Sequence, residues 1–400
     1  MNLLYLSPSN TVGGAEVSLF STAKFMKDQG HKLFLALPPS PDKKYEESLK
    51  PFVEEFLYVK SMAWHIPRQK LGFWKSIVQY LYSAYKSKGW HVTPIIKLWR
   101  FIRKHKIDLV HTNTIMSIDG AFAAKLARVP HIQHIREAIG INKHSLAQFP
   151  LMTRPVLFKK LMNNLHTRIL TNSEFTKEIC KTYFPEEKLV RIYNPLGVQF
   201  FSSKKNIKKK LLREPLVIGL VANVTSRLKN HALFVEIANV FNEWNPDQNV
   251  RFNLYGKLPP KTDPYFLNLK KKVTANRLEN VVEFKGQYAN ATEIYSELDI
   301  LIHTYPHEAF GRIFIEAMAM GVPVIAAEGG GASELIEDGE TGFLVDVNAP
   351  GVFAEKIEAV LNDPDLGQSI VEKGRIFAER FKTETIGRAL EKVYYEVLQN

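Results

Sequence analysis

The sequence predicts an α/β protein made of two Rossmann-like domains that face each other across a cleft. Three observations predict this. At 400 residues the chain exceeds the size at which one hydrophobic core keeps growing. Short apolar runs alternate with amphipathic stretches in both halves, the pattern of parallel βαβ units. Residues 198–214 interrupt that alternation with Lys204, Lys205, Lys208, Lys209 and Lys210, as a linker would. The expected division is an N-terminal domain over 1–197, a linker over 198–214 and a C-terminal domain over 215–375. A last helix over 376–400 is expected to pack back on the first domain.

The elements follow in order. Leu3–Leu6 is a strand, and Ser9 to Gly14 is a loop ending in two glycines. A helix follows with Leu19, Phe20, Ala23 and Met26 on one face, and Gly30 stands past its end. Strands are expected at Leu33–Leu37, Leu109–His111, Ile132–His134, Arg168–Thr171 and Leu189–Tyr193. The second series opens with a strand at Leu216–Val221 and a helix that gathers Leu233, Phe234, Ile237, Val240 and Phe241. Its later strands are expected near Phe252–Tyr255, Val281–Phe284, Ile300–His303, Val322–Ala326 and Gly342–Val345. From about Ile376 to Leu398 the pattern is helical. In such sheets ligands sit at the carboxyl ends of strands, and two halves would offer those ends to one cleft.

Composition narrows the class. Hydrophobic residues make up 45% of the chain, enough for folded cores. The single cysteine, Cys180, excludes an internal disulfide framework and fits a reducing compartment. The start, Met1-Asn2-Leu3-Leu4-Tyr5-Leu6, has neither the basic flank nor the length of a signal peptide, and no run is long enough for a spanning helix. A cytoplasmic protein is expected. Lys and Arg exceed Asp and Glu by 53 to 41, a net charge of +12 that suits an anionic partner.

Residues 307–331 carry most of the functional information. Glu308 and Glu316 stand eight apart with Phe310-Gly311 between them. A helix is expected to open after that turn, with Phe314, Ala317 and Met318 on its apolar face. Gly321 caps it and Pro323 prevents its continuation. A β-branched strand then leads to the triplet Gly329–Gly331. The helix N-terminus suits a phosphate, and carboxylates on both sides of an anion site suit hydroxyls flanking a diphosphate. A nucleotide-sugar has that shape.

Here the chain resembles a known family, the retaining glycosyltransferases of family 4 with the GT-B fold (glycosyl transferases group 1). The Glu308–Glu316 motif is its most specific part. Supporting pieces occur in the family's order: Gly13-Gly14, Asp108 to His111, His134 to Glu137, Thr171-Asn172-Ser173, Asn194-Pro195, Lys229-Asn230, Tyr255-Gly256, Phe284-x-Gly286 and Gly330-Gly331-x-x-Glu334. The resemblance implies that Glu316 accepts hydrogen bonds from ribose hydroxyls and that Glu308 contacts the transferred sugar. Backbone N–H groups near Phe310 and Gly311 would hold the diphosphate, and Lys229 would neutralise it. Gly13 and Gly14 would allow close approach of donor phosphate or acceptor, and His134 matches a histidine near the sugar. The family's arginine before the lysine is missing, because Asn223 and Val224 stand there. Arg227 or Arg312 is expected to take its place.

The implied reaction moves a sugar from a nucleoside-diphosphate sugar to a sugar or lipid-linked hydroxyl acceptor with retention. The setting would be surface polysaccharide or glycolipid assembly, with no cofactor and no metal. The plainer readings are that His134 is a core histidine, Lys229 a surface lysine and His111 a strand cap. Asp363-Pro364-Asp365 is read as a turn. His303 and His307 bracket Thr-Tyr-Pro and cannot form a helical metal face. The stretch from Trp64 to Lys106 interleaves Trp64, Trp74, Trp90 and Trp99 with basic residues. Its plainer reading is core packing with Arg100, Arg103 and Lys104 on a solvated face; the sharper one is a surface helix at an anionic membrane. Rival functions are a non-catalytic sugar-binding subunit or an epimerase on the same fold. Nucleic-acid binding is not expected, because no recognised module accompanies the short basic run.

Overall fold

The computed structural model describes residues 1–10, 13–41, 43–61, 92–140, 154–202, 214–288 and 290–399, with 78, 149 and 152 singly. The chain forms two compact units, Met1–Pro195 with Thr383–Asn400, and Leu196–Lys382.

Unit 1 runs β1 (Asn2–Leu6), α1 (Gly14–Asp28), β2 (Lys32–Leu37), α2 (Lys44–Leu49), β3 (Glu55–Tyr58), α3 (Val92–Lys104) and β4 (Leu109–Thr112). It continues α4 (Asp119–Ala127), β5 (His131–Ile135), α5 (Pro155–Leu165), β6 (Arg168–Thr171), α6 (Glu174–Lys181) and β7 (Leu189–Arg191). The strands form one parallel sheet in the order β3-β2-β1-β4-β5-β6-β7. The inner strands are buried on both faces, so β1 and β2 read as nearly continuous apolar runs, while β4 and β5 bury His111, His131, Gln133 and His134 among their apolar residues. Leu3, Tyr5, Leu33 and Leu35 lie in a core with Leu19 and Met26 of α1 and Leu390 and Tyr394 from the helix Thr383–Gln399. On the other face Leu4, Leu6 and Val110 meet Leu98, Phe101 and Ile102 of α3 and Ala123 and Ala124 of α4. A third cluster joins Ile135 and Ile169 to Phe158, Met162 and the buried Cys180.

Unit 2 runs β8 (Leu216–Val221), α7 (His231–Trp244), β9 (Val250–Tyr255), α8 (Pro264–Ala275), β10 (Val282–Gly286), α9 (Ala291–Glu297) and β11 (Ile300–His303). It continues α10 (Arg312–Met320), β12 (Val324–Ala327), α11 (Ala332–Leu335), β13 (Phe343–Val345), α12 (Pro350–Asn362) and α13 (Pro364–Ala378). The order is β10-β9-β8-β11-β12-β13, again all parallel. Ile218, Phe252, Ile302 and Ile325 of the sheet pack with Phe234, Phe241, Phe266 and Phe353 of the covering helices. Helix α10 is buried along Phe314–Met320. It ends at Gly321, whose φ of 71° lets the Val322 N–H reach back to the Ala317 carbonyl at 2.9 Å. Asp363 caps α13 through the N–H groups of Asp365 and Leu366, so Asp363-Pro364-Asp365 opens a helix.

Three differences from the sequence reading have physical causes. Strand β3 was not expected. Among the described residues it is a half-exposed sheet edge paired only to β2, so its Glu-Phe-Leu-Tyr lacks the long apolar run that marks the inner strands. The helix expected from Ile376 is split. The chain leaves α13 at Ala378 and makes a 3₁₀ turn at Glu379–Phe381. It then begins α14 (Thr383–Gln399) after the Phe381 carbonyl has accepted the Leu196 N–H at 2.7 Å. In the expected linker, Val198–Phe201 is a 3₁₀ turn whose Phe200 packs on Tyr295, with ring centroids 6.2 Å apart. Residues 203–213, and the part of the Trp-rich stretch that spans 62–91 apart from residue 78, lie outside the described residues.

Candidate active site

In unit 2 the strand order reverses between β8 and β11, and open α/β sheets bind ligands at such a reversal because the loops diverge there. After β8, Asn223 and Val224 are tied to Lys257. The Lys257 N–H donates to Asn223 Oδ1 at 2.9 Å, and the Val224 N–H donates to the Lys257 carbonyl at 3.0 Å. A 3₁₀ turn at Arg227–Lys229 follows, and Asn230, with φ of 50°, swings the chain into α7. The Thr304 hydroxyl donates to the Lys229 carbonyl at 2.7 Å, fixing the lysine backbone to the loop that leaves β11. The Lys229 ammonium hydrogen-bonds Glu308 Oε2 and lies 5.2 Å from the centre of the Tyr305 ring.

Glu308 is held in that loop with its side chain 21% exposed. Burial opposes its charge, yet the Lys229 ammonium and the neighbouring His303 hold the carboxyl well below the usual carboxylate range. His303 Nε2 is 3.4 Å from Glu308 Oε2. Burial pushes the imidazole pKa down, with Glu308 pulling the other way, so the ring is neutral at ordinary pH.

Glu316 lies inside α10, buried at 7% exposure. Arg312, one turn earlier, donates to its Oε1 from Nε at 3.2 Å and from Nη2 at 3.0 Å. The Tyr295 hydroxyl donates to Oε2 at 2.8 Å. Burial and the Glu316 charge raise the Tyr295 pKa, so the phenol stays a donor. The two glutamates are thus set up differently. Glu308 meets a flexible cation, and Glu316 is clamped between a guanidinium and a phenol.

The glycines near them are demanded by packing. A Cβ on Gly331 would fall 2.2 Å from the Phe310 carbonyl oxygen, and one on Gly330 would fall 2.6 Å from that of Glu308. The Gly331 N–H donates to the Glu308 carbonyl at 2.7 Å. Gly330 and Gly331 therefore press the loop after β12 against the backbone that presents Glu308. Gly311, at φ of 90°, starts α10 over the Phe314 ring, and the buried Phe310 ring faces Phe381 at 6.0 Å. Arg227 is two-thirds exposed and points to Asp263, the cap of α8, at 3.5 Å. Among the described residues Arg227 thus faces Asp263 and Arg312 faces Glu316, while Glu308 meets Lys229.

The remaining candidates belong to unit 1. Gly13 caps α1 in extended conformation and Gly14 is its first residue, while residues 11 and 12 lie outside the described set. His134 is 1% exposed, and its ring stacks on His111 with centroids 5.4 Å apart. His111 Nδ1 lies 2.5 Å from the Tyr394 hydroxyl, which in turn is 2.9 Å from that of Tyr5. Burial, the Arg136 charge and His111 hold the His134 pKa well below its ordinary value. Beside this network Arg136 donates through Nε to Asn113 Oδ1 at 3.1 Å and also hydrogen-bonds Asn194. Among the described residues no group of three or more His, Cys, Asp or Glu is arranged to hold a metal.

The sequence reading did not find Tyr295, Thr304, Tyr305 or His303 as parts of the site. Tyr295 stands 21 residues before Glu316 with no local signal. His303 does leave one, as the polar end of the apolar run Ile300-Leu301-Ile302.

Two family models meet end to end on this chain. One described as Glycosyltransferase Family 4 matches residues 12–199, and one described as Glycosyl transferases group 1 matches 202–377. The chain belongs to the family 4 glycosyltransferases. This glycosyltransferase is 24% identical over 335 residues to the N-acetyl-alpha-D-glucosaminyl L-malate synthase of Bacillus anthracis, covering 80% of this chain and 82% of that protein. It is 26% identical over 318 residues to the capsular polysaccharide biosynthesis glycosyltransferase CapM of Staphylococcus aureus, covering 76% and 81%. Its fold matches that of Anabaena Alr3699/HepE, solved in complex with UDP-glucose, with a TM-score of 0.74 at 23% identity over 99% of this chain and 100% of that one. The family and fold read from Glu308–Glu316 and its companion motifs are borne out: the fold is GT-B, two Rossmann-like domains in one chain.

Proposed function

We propose that this glycosyltransferase moves a sugar from a nucleoside diphosphate to a hydroxyl acceptor with retention of anomeric configuration. One observation carries the reading. Lys229 and Glu308, from the loops after β8 and β11, meet at the strand-order reversal of unit 2, in the unit that also carries the clamped Glu316. A cation beside a sugar-facing carboxylate, with a second carboxylate for ribose, matches the three parts of a nucleotide-sugar. On this reading Lys229 stabilises the charge that grows on the departing diphosphate. Phe310, Gly311, Gly330 and Gly331 shape the phosphate loop. Gly13 and Gly14, without side chains, would let donor phosphate or acceptor approach the start of α1 closely.

The acceptor oxygen attacks the anomeric carbon on the face the phosphate is leaving. The C–O bond to phosphate breaks, the new C–O bond forms, and the acceptor proton passes to a phosphate oxygen. No covalent nucleophile and no metal are needed for that sequence. His134, buried against His111, fits a role in shaping the floor of unit 1 better than direct contact with the sugar. CapM's capsule chemistry supports surface polysaccharide as the setting, and a lipid-linked acceptor would bring the enzyme to the cytoplasmic face of a membrane. No helix among the described residues is long and apolar enough to cross one.

The test is a thermal-shift panel of UDP, GDP, ADP and their sugar conjugates, followed by an NMR reading of the anomeric configuration of the product. Stabilisation by one nucleotide series, lost in Glu316→Ala, is expected. Absence of stabilisation by every nucleotide and sugar conjugate would sink the proposal, and a product of inverted configuration would sink retention.

A further inference from the structure

We propose that His303 is a positioning residue for Glu308 that takes over its carboxylate when a diphosphate draws Lys229 away. The proposal rests on the reading of Lys229 and Glu308 given above.

Two donors address one oxygen, Glu308 Oε2. The Lys229 ammonium holds it now, and His303 Nε2 stands off at 3.4 Å. They differ in freedom. The lysine has a fixed backbone and a four-carbon arm, so its ammonium can move toward a diphosphate while Thr304 keeps its carbonyl in place. The imidazole has little freedom to move. It is 1% exposed at the end of β11, and Phe314 of α10 meets it edge to face at 4.9 Å.

Neither ring nitrogen has a hydrogen-bond partner of good geometry among the described residues. A buried polar group left unpaired is rare and calls for a reason. The strand itself supplies none, because Ile300, Leu301 and Ile302 are wholly buried and a leucine at 303 would continue them. The reason offered here is a second state of the site. A diphosphate brings two to three negative charges into a setting of reduced dielectric, where the pull on one ammonium is strong. Without the lysine, Glu308 would be a largely buried carboxylate with no donor. Freed from the lysine, the Glu308 carboxylate then settles onto the Nε2–H of neutral His303, closing the 3.4 Å gap to the ~2.7–2.9 Å usual for an N–H on a carboxylate. Glu308 stays ionised and aimed, as an acceptor for a sugar hydroxyl must be.

The experiment uses the full chain and three variants, His303→Leu, His303→Gln and Lys229→Ala. The probes are UDP, GDP and ADP with their glucose conjugates. Calorimetry reads nucleoside-diphosphate affinity, and donor turnover is read as nucleoside diphosphate released. His303→Leu should lower kcat tenfold or more, with KM for the donor and affinity for the nucleoside diphosphate within twofold of wild type. His303→Gln, whose amide N–H can occupy the place of Nε2, should recover most of the lost kcat. Lys229→Ala should weaken the nucleoside diphosphate at least tenfold. If His303→Leu turns over like wild type, or His303→Gln does no better than leucine, the proposal fails while the donor site stands. If Lys229→Ala binds every nucleoside diphosphate as wild type does, the reading of the donor site fails and this proposal goes with it.

Discussion

Replacing Tyr295 by Phe removes one oxygen atom and should show what the clamp on Glu316 contributes. The hydroxyl donates to Glu316 Oε2 at 2.8 Å, and both residues are buried. The phenyl ring would keep its packing on Phe200, so no sizeable cavity forms. The loss is then that of a hydrogen bond to a charged group, about 1.5–3 kcal/mol. Unit 2 spans Leu196–Lys382, a size at which each kcal/mol shifts the melting point by about 2–4 °C. Calorimetry should therefore show a fall of roughly 3–12 °C. In a Glu316→Gln background the hydroxyl meets a neutral amide, where a hydrogen bond contributes about 0.5–1.5 kcal/mol, so the same substitution should lose about 1 kcal/mol less. Nucleotide affinity should fall with stability, because the two Arg312 hydrogen bonds to Glu316 fall on Oε1 and Tyr295 is the donor seen at Oε2 among the described residues. An unchanged melting point, or an equal loss in both backgrounds, would refute the clamp.

Gly331→Ala should destabilise unit 2 by about 1–3 kcal/mol and weaken nucleotide binding, because the new methyl meets backbone at Phe310 that cannot rotate aside; a wild-type melting curve with wild-type affinity would contradict this. Of the two arginines, Arg227→Gln should cost donor affinity with little change in stability, since Arg227 is exposed and loosely held. Arg312→Gln should lower both, since it frees Glu316, and the pattern is read by paired calorimetry and melting. Acid should loosen unit 1. Burial lowers the pKa of His111 and His166 to about 3 and carries His131 and His134 well below 6.5. Depressed histidines keep the folded state neutral while the unfolded chain gains protons, so their stability is present above about pH 6.5 and lost as pH falls toward 3. Each removes up to about 1.4 kcal/mol per pH unit. Glu137 opposes them, because burial raises its pKa to about 7 and its contribution grows as pH falls from 7 toward 4.5. Glu308 weakens only below about 4.5, so unfolding between pH 6.5 and 4.5 should take up protons, which buffer-dependent calorimetry measures. Finally, α3 exposes Val92, Ile96, Lys97, Arg100 and Arg103, while Lys104 is drawn to Glu55 at 3.3 Å. Each free basic group near an anionic surface contributes about 1 kcal/mol. Salt-sensitive sedimentation with anionic but not neutral liposomes should follow, weakened by Arg100→Gln with Arg103→Gln; equal sedimentation with both would remove the membrane surface.

The inner strands were legible because burial on both faces writes them as short, mostly apolar runs, and Ile300–His303, Leu216–Val221 and Arg168–Thr171 fall where expected. Helix α10 was legible from its ends, Gly311 and Gly321, which its turns require. Edge strand β3 left no such trace, since one paired side and a wet face allow any residue. The break before α14 was hidden because Phe377 and Phe381 continue the helical spacing while serving contacts with each other and with Phe310. In the site, Glu308, Lys229 and Glu316 could be read from local motifs. Tyr295 and Thr304 could not, because they reach Glu316 and Lys229 through contacts 21 and 75 residues apart in sequence, while His303 left only its polar place at the end of an apolar run. Gly330 and Gly331 stood out only as pieces of the family's motif, and the structure adds why a side chain has no room there: backbone of Glu308 and Phe310 occupies the place of each Cβ.

The segment Thr383–Gln399 belongs to unit 1 although all of unit 2 lies between it and Pro195. Tyr394 and Glu391 supply the partners of His111, Tyr5 and His31, so strands made early wait on residues made late. A growing chain therefore completes its halves out of order. Once residue 382 has emerged, unit 2 has every residue of its core, while the first half still holds uncovered apolar strands and unmatched histidines. Over that interval the N-terminal half is the one exposed to aggregation and to chaperones, and shortening α14 would extend the exposure indefinitely.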